Sequence, residues 1–207
     1  MLFKIENLTY EVEGRSILKN RSLDIDTGKH LLLLGPSGCG KTTLMNLMAG
    51  LLRPSSGDVV FEDINYASLS ETERDTLRAE NFGFVFQKLH LMGHLSVEQN
   101  IALAQHKPDR GHVQFLMEDL GVSKKAKQKA RDLSVGEAQR VAIARAVANN
   151  PKVIFADEPT SALDDENAGR VMDLIFDQAQ KTRASVITAT HDARIKSRFE
   201  TTLEIAA

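Results

Sequence analysis

The chain has 207 residues, 42% hydrophobic and 26% charged, a globular balance long enough for one domain with or without a subdomain. A net charge of −2 makes the whole molecule no attractor for nucleic acid or anionic lipid, and two Tyr, nine Phe and no Trp argue against a stacking platform for single strands. The single Cys39 allows neither an internal disulfide nor a zinc cluster, MLFKIENLTY lacks the features of a secretory signal, and no run of about 18 apolar residues can span a bilayer.

Residues 2–26 read as two or three short strands with polar turns, one of them at Glu13–Gly14. HLLLLG, 30–35, is a strand without alternation that runs into a glycine-rich turn. KTTLMNLMAGLL, 41–52, then carries apolar residues at helical spacing until RPSSGD stops it. Between them GPSGCGKT, 35–42, fits the phosphate-loop pattern in its required context of strand before and helix after. Gly35, Gly38 and Gly40 let the backbone turn its N–H groups inward toward phosphate. Lys41 places a point charge on the β- and γ-phosphates, and Thr42 offers a hydroxyl to Mg²⁺ at the positive end of the helix. Pro36, Ser37, Cys39 and Thr43 complete the candidate cradle. Cys39 reads as a small buried filler, with a regulatory thiol as the alternative.

Further along, VVFE is a short strand, 70–80 a polar helix, and FGFVFQ, 82–87, a strand ending in Gln87. Residues 96–148 are mostly helical in pattern. KVIFADE, 152–158, is a strand, 166–181 a helix, SVITATH, 185–191, a strand ending in His191, and TTLEIA, 201–206, a last strand. Apolar strands alternating with helices predict an α/β fold with a mainly parallel sheet covered on both faces. The expected organisation is a phosphate-loop NTPase core, 1–87 and 149–207, that opens with antiparallel strands and carries an inserted helical subdomain, 88–148.

Asp157 and Glu158 end an apolar strand, where buried carboxylates are costly without a partner. Asp157 suits a hydrated Mg²⁺; Glu158 suits the base that polarises an attacking water. The competing reading is a strand cap before Pro159. Gln87, at another strand end, can contact metal and water, and His191, at a third, can reach the γ-phosphate. Either alone is as readily structural, but all converge on the carboxyl edge of one sheet, where ligands bind in open α/β folds.

LSVGEAQR, 133–140, raises a separate question. Ser134 and Glu137 form the capping box of a helix over 135–148, which suffices as a structural explanation. A helix start is also an anion site, and Gly136 leaves room for close approach. Lying in the helical insertion, it is expected to serve the nucleotide of a second copy in a two-fold head-to-tail pair.

The phosphate loop, Gln87, LSVGEAQR, VIFADEPT, SALD (161–164) and His191 occur in the order and context of ABC-type ATPases, and the chain resembles that family throughout. The resemblance implies ATP and Mg²⁺ as ligands and a homodimer in the ATP state. Ser134 and Gly136 would reach the partner's γ-phosphate, Ser161 and Asp164 would lie in the loop crossing the interface, and Tyr10 would stack on adenine, an ordinary strand tyrosine being the alternative. ASLSETERDTLRAENFGFVFQ followed by LHLMGHLSVEQNI is similar to the lipoprotein-release, macrolide-efflux and cell-division branch. The family therefore implies an ATP-hydrolysing subunit at the cytoplasmic face of the plasma membrane. It would drive separately encoded transmembrane permease subunits or, alternatively, a non-transport signalling complex of the cell-division type. Leu89, Leu91, Met92 and Leu95 are candidates for the groove that takes a permease helix, or else plain core. No nucleic-acid partner is expected, and no N-K-x-D guanine motif is present.

Two positions depart from the family pattern: Val135 stands where Gly is usual and Glu137 where Gln is usual. Val does not readily take a positive φ. A carboxylate beside a γ-phosphate is unhelpful unless it turns back to cap the helix, and that is the expectation here. The basic run KKAKQKAR, 124–131, is expected to be a solvated helix face.

Overall fold

The computed structural model describes residues 1–161 and 163–205. Ala162 of the SALD stretch and Ala206, the end of the expected last strand, lie outside the described residues. Among the described residues the strands form two sheets. One is antiparallel, with order β2-β1-β4-β5, from β1 (Phe3–Val12), β2 (Arg15–Ile25), β4 (Ser56–Phe61) and β5 (Ile64–Asn65). The other is parallel, with order β6-β7-β8-β3-β9, from β3 (Leu31–Leu34), β6 (Phe82–Val85), β7 (Val153–Asp157), β8 (Ser185–Thr190) and β9 (Thr201–Glu204).

The strands of the parallel sheet lack polar alternation because each face enters a different core. Leu31, Leu33, Val153, Phe155 and Ile187 point toward the antiparallel sheet and helix α1 (Lys41–Met48). Leu32, Ile154, Ala156 and Val186 point into a second cluster. That cluster is shared with α3 (Val97–Ala102), α4 (Arg110–Asp119), α5 (Val135–Val147) and α6 (Asp165–Thr182). Helix α2 (Glu71–Asn81) leads into β6. The two-residue period of a strand thus sorts apolar side chains between two buried layers.

Several boundaries differ from expectation, for local reasons. Helix α1 stops at Met48 because Gly50 takes φ 66 and the N–H groups of Leu51 and Leu52 turn back to the Asn46 carbonyl. β6, β7 and β8 each end one or two residues before Gln87, Glu158 and His191. Those side chains therefore stand on the loops beyond the pleat. The stretch 96–148 is less helical than expected: Pro108 lies between α3 and α4, Gly121 turns at φ 67, and α5 is preceded by two 3₁₀ turns, Ser123–Lys125 and Ala130–Asp132. The basic run is therefore not a helix face. It packs back on 93–98 through Val97 N to Gln128 O and Ala130 N to Leu95 O, at 3.0 and 2.9 Å.

Candidate active site

The phosphate loop leaves β3 and closes on the N-terminus of α1. Gly35 is needed for space: a Cβ there would lie 2.3 Å from the Ile205 carbonyl oxygen. Gly40 is needed for conformation as well, with φ 99 and a Cβ position 2.9 Å from Leu18 Cδ2. Pro36, Ser37 and Gly38 are exposed on the loop, Cys39 is buried beneath it, and Thr43 is half-buried in the first turn of α1. Leu18, against Gly40, is the cross-strand partner of Tyr10, which places the half-buried Tyr10 beside the loop.

Lys41 is buried, and its ammonium donates to the carbonyls of Gly35 at 2.8 Å and Pro36 at 2.9 Å. Its Nζ lies 3.9 Å from Glu158 Oε1. The Thr42 hydroxyl donates to Asp157, 3.0 Å from Oδ1 and 3.2 Å from Oδ2. Burial raises the Asp157 carboxyl above its usual range and the Glu158 charge adds to this, while the Thr42 bond and Lys41 oppose it.

Glu158 is the turning point of the site. It takes φ 48, a left-handed angle that costs a side-chain-bearing residue roughly 1–2 kcal/mol. The turn aims its carboxylate at the end of β8. There it accepts from the Thr190 hydroxyl at 2.7 Å and from His191 N at 3.2 Å, and His191 Nδ1 lies 3.0 Å away. The Gln87 amide does not bond Thr42 or Asp157 among the described contacts. It donates to Ser161 Oγ at 3.1 Å, and that hydroxyl donates to the Glu158 carbonyl at 3.2 Å.

Behind this cluster stands a network that motif reading misses. The Thr160 hydroxyl, fully buried, donates to Asp192 Oδ2 at 2.8 Å. Arg194 donates to both oxygens of Asp192 at 2.8 Å, to Leu163 O at 3.3 Å, and to Asp165. Asp192 N in turn donates to Thr190 Oγ1 at 3.0 Å, the hydroxyl that holds Glu158. The bonds from Arg194 pull the Asp192 carboxyl from the usual 3.8 to about 2, against the effect of burial. The sequence signal was only that Asp192 follows His191; its partner Thr160 lies 32 residues away.

The LSVGEAQR segment stands apart. Among the described residues no hydrogen bond joins Ser134 or Gly136 to the phosphate loop or the strand-end carboxylates. Glu137 does turn back: Ser134 N donates to its Oε2 at 2.9 Å and Glu137 N donates to Ser134 Oγ at 3.4 Å. Val135 is the first residue of α5, is absent from the positive-φ residues, and is 73% exposed, so no left-handed angle is required of it. The helix is tied to the loop after β7 by buried Gln139, whose amide donates to Pro159 O at 3.3 Å. Asp164 is the N-cap of α6, accepting from Asn167 N at 2.8 Å.

Residues 18–161 match the ABC transporter family. The chain belongs to this family. It is 37% identical over 212 residues to the lipoprotein-releasing system ATP-binding protein LolD of Aquifex aeolicus, covering 99% of this chain and 93% of LolD. It is 35% identical over 211 residues to the macrolide export ATP-binding/permease protein MacB of Campylobacter jejuni, covering 99% of this chain and 33% of MacB. The dimeric structure of the bacterial ABC transporter cassette MJ0796 matches with a TM-score of 0.86 at 31% identity, covering 99% of this chain and 94% of that one. The same cassette in a dimeric post-hydrolysis state bound to ADP and Pi matches with the same TM-score. The protein is an ABC ATPase with the phosphate-loop NTPase fold: a parallel sheet, an antiparallel β region and packed helices.

Proposed function

We propose that two copies of this chain close around ATP and that hydrolysis reopens them, the motion being passed to transmembrane permease subunits. The observation that carries this is the separation of two anion-facing elements. Lys41, Thr42, Asp157, Glu158 and His191 gather on one sheet edge, while Ser134 and Gly136 bond to none of them. A second copy, related by two-fold symmetry, brings the missing element to each site. The dimeric MJ0796 cassette supports the reading. In this arrangement residues 88–148 act as the helical subdomain that presents Ser134, and residues 1–87 and 149–207 as the nucleotide-binding core.

Each residue then has a role. Lys41 neutralises the β- and γ-phosphates, and the loop from Gly35 to Thr43 cradles them. Tyr10 stacks on the adenine. Glu158 accepts a proton from the attacking water, held for this by Thr190 and His191, whose ring faces the γ-phosphate. Gln87 and Ser161 place that water, and Asp164 caps the helix beside the crossing loop. The Thr42 hydroxyl beside the Asp157 carboxylate, 3.0 Å apart, is a hard-oxygen pair that fits Mg²⁺; Gln87, which donates to Ser161, would have to turn to join it. Mg²⁺ bound there supplies charge neutralisation on the transferring phosphate.

A groove of 410 Å³ is where we place the permease helix. Leu51, Phe82, Phe84, Phe86 and Arg145 line it. Arg145 pins its rim by donating to the carbonyls of Leu89 and His90 at 2.6 and 2.7 Å. Of the leucines considered from sequence none lines it: Leu91 packs on the helical core instead. No helix among the described residues is long and apolar enough to cross a membrane; in this reading the protein works at the cytoplasmic face of the plasma membrane, held there by its permease partners. The test is sedimentation of Glu158→Gln protein with Mg·ATP and with Mg·ADP. A dimer with ATP alone is expected; a monomer at saturating ATP, even with the permease subunits added, would overturn the reading.

A further inference from the structure

Among the described residues three helices begin with a full capping box, and they are not alike. In α2 and α5 the box is Ser–Glu, and the serine hydroxyl donates to the carboxylate: Ser70 to Glu73 at 2.6 Å, Ser134 to Glu137 at 2.9 Å. In α3 the box is Ser–Gln. Ser96 N donates to Gln99 Oε1 at 2.9 Å and Gln99 N to Ser96 Oγ at 3.1 Å, and among the described contacts the Ser96 hydroxyl donates to nothing. A hydroxyl has one proton to give. In α2 and α5 the glutamate takes it, and in α3 the glutamine keeps the cap without taking it.

At α5 this matters because Ser134 is the hydroxyl meant for a phosphate. Glu137 takes its proton and also places a negative charge on the helix's positive end. A second partner waits nearby: Lys125 Nζ lies 3.4 Å from Glu137 Oε1. The hydrogen bonds from Ser134, backbone first, hold Glu137 below the usual carboxylate range, so the charge is present at neutral pH.

We infer that Glu137 is a positioning residue that restrains nucleotide sandwiching: it holds Ser134 self-paired, the γ-phosphate on the facing copy must displace it, and Lys125 takes the released carboxylate. The inference rests on the reading that Ser134 acts on the other copy's ATP. It makes closure a competition between two anions for one hydroxyl and one helix end, repeated at both sites of the dimer.

The experiment uses Glu158→Gln protein, titrated with Mg·ATP and followed by analytical ultracentrifugation. Nucleotide affinity of the monomer is measured separately at low protein concentration. Glu137→Gln is expected to lower the midpoint of ATP-driven dimerisation by roughly 3–30-fold, the range for one surface charge removed at each of two helix starts, and to leave monomer affinity unchanged. Lys125→Gln should raise the midpoint when Glu137 is present and do nothing when it is Gln. Loss of a purely structural cap would weaken dimerisation and lower the melting temperature, so an unchanged or raised midpoint for Glu137→Gln overturns the inference alone. If Glu158→Gln protein never dimerises with ATP, the sandwich reading fails first and this one falls with it.

Discussion

Helices α1 and α5 are the two whose N-termini we propose to meet phosphate, yet they begin in opposite states. The first has Gly40 as its N-cap, with no side-chain bond and no acidic residue in its first turn. The second has Ser134 and Glu137 bonded in both directions and an acid in its first turn. The same backbone dipole is thus left open in one case and internally neutralised in the other. An open helix end needs a loop that forbids side chains, and Gly35 and Gly40 supply it. A capped one folds unaided and must be uncapped to bind. On the proposed reading, the phosphate-loop half is a ready binding site within one chain, and the signature half is conditional on a partner.

The comparison can be broken most sharply at Glu158. Glu158→Gln should lower steady-state phosphate release by about 10²–10⁴-fold while ATP binding to the monomer persists. Near-normal turnover would show that the strand-end cluster is not where water is activated. Next in size is the acid dependence of the network behind that cluster. Asp192 has its folded pKa at about 2, below the usual 3.8, so it contributes roughly 2 kcal/mol that is fully present above pH 4 and lost as the pH falls toward 2. Urea midpoints at pH 7 and pH 3 should converge for wild type and Asp192→Asn as acid is added; a constant gap would detach Asp192 from this role. The smallest effect is expected at Tyr10. Tyr10→Ala should weaken ATP binding roughly 5–10-fold, about the worth of one ring contact, with little change in maximal rate. An unchanged affinity would remove the ring from the nucleotide site.

The parts legible in the sequence are those encoded in short contiguous runs. GPSGCGKT, VIFADEPT and the apolar strands could be placed because strand, turn and helix signals adjoin the chemical groups they position. Ser134 and Glu137 lie three residues apart on one helix turn, so their capping was readable too. What was not readable depends on distant partners. Gly35 is confined by Ile205, far along the chain, and Glu158 by Thr190 and His191 across β8. The cavity beside β6 gathers Phe84, Phe86 and Arg145 from segments far apart in the chain, which no local pattern announces. Strand ends were misjudged because polar residues beyond the pleat carry no periodicity of their own.

By itself the sequence determined the groups on offer: a glycine-rich phosphate loop, a pair of strand-end carboxylates, a hydroxyl at a helix start and a capped helix start, each fixed by local backbone geometry and side-chain reach. Only the tertiary structure decided which of these meet. Parallel pairing of β6, β7, β8 and β3 brings their carboxyl ends to one edge, and the left-handed turn at Glu158 carries its carboxylate to His191. The same folding leaves Ser134 bonded to Glu137, because hydrogen bonds three residues apart form without any help from the rest of the chain.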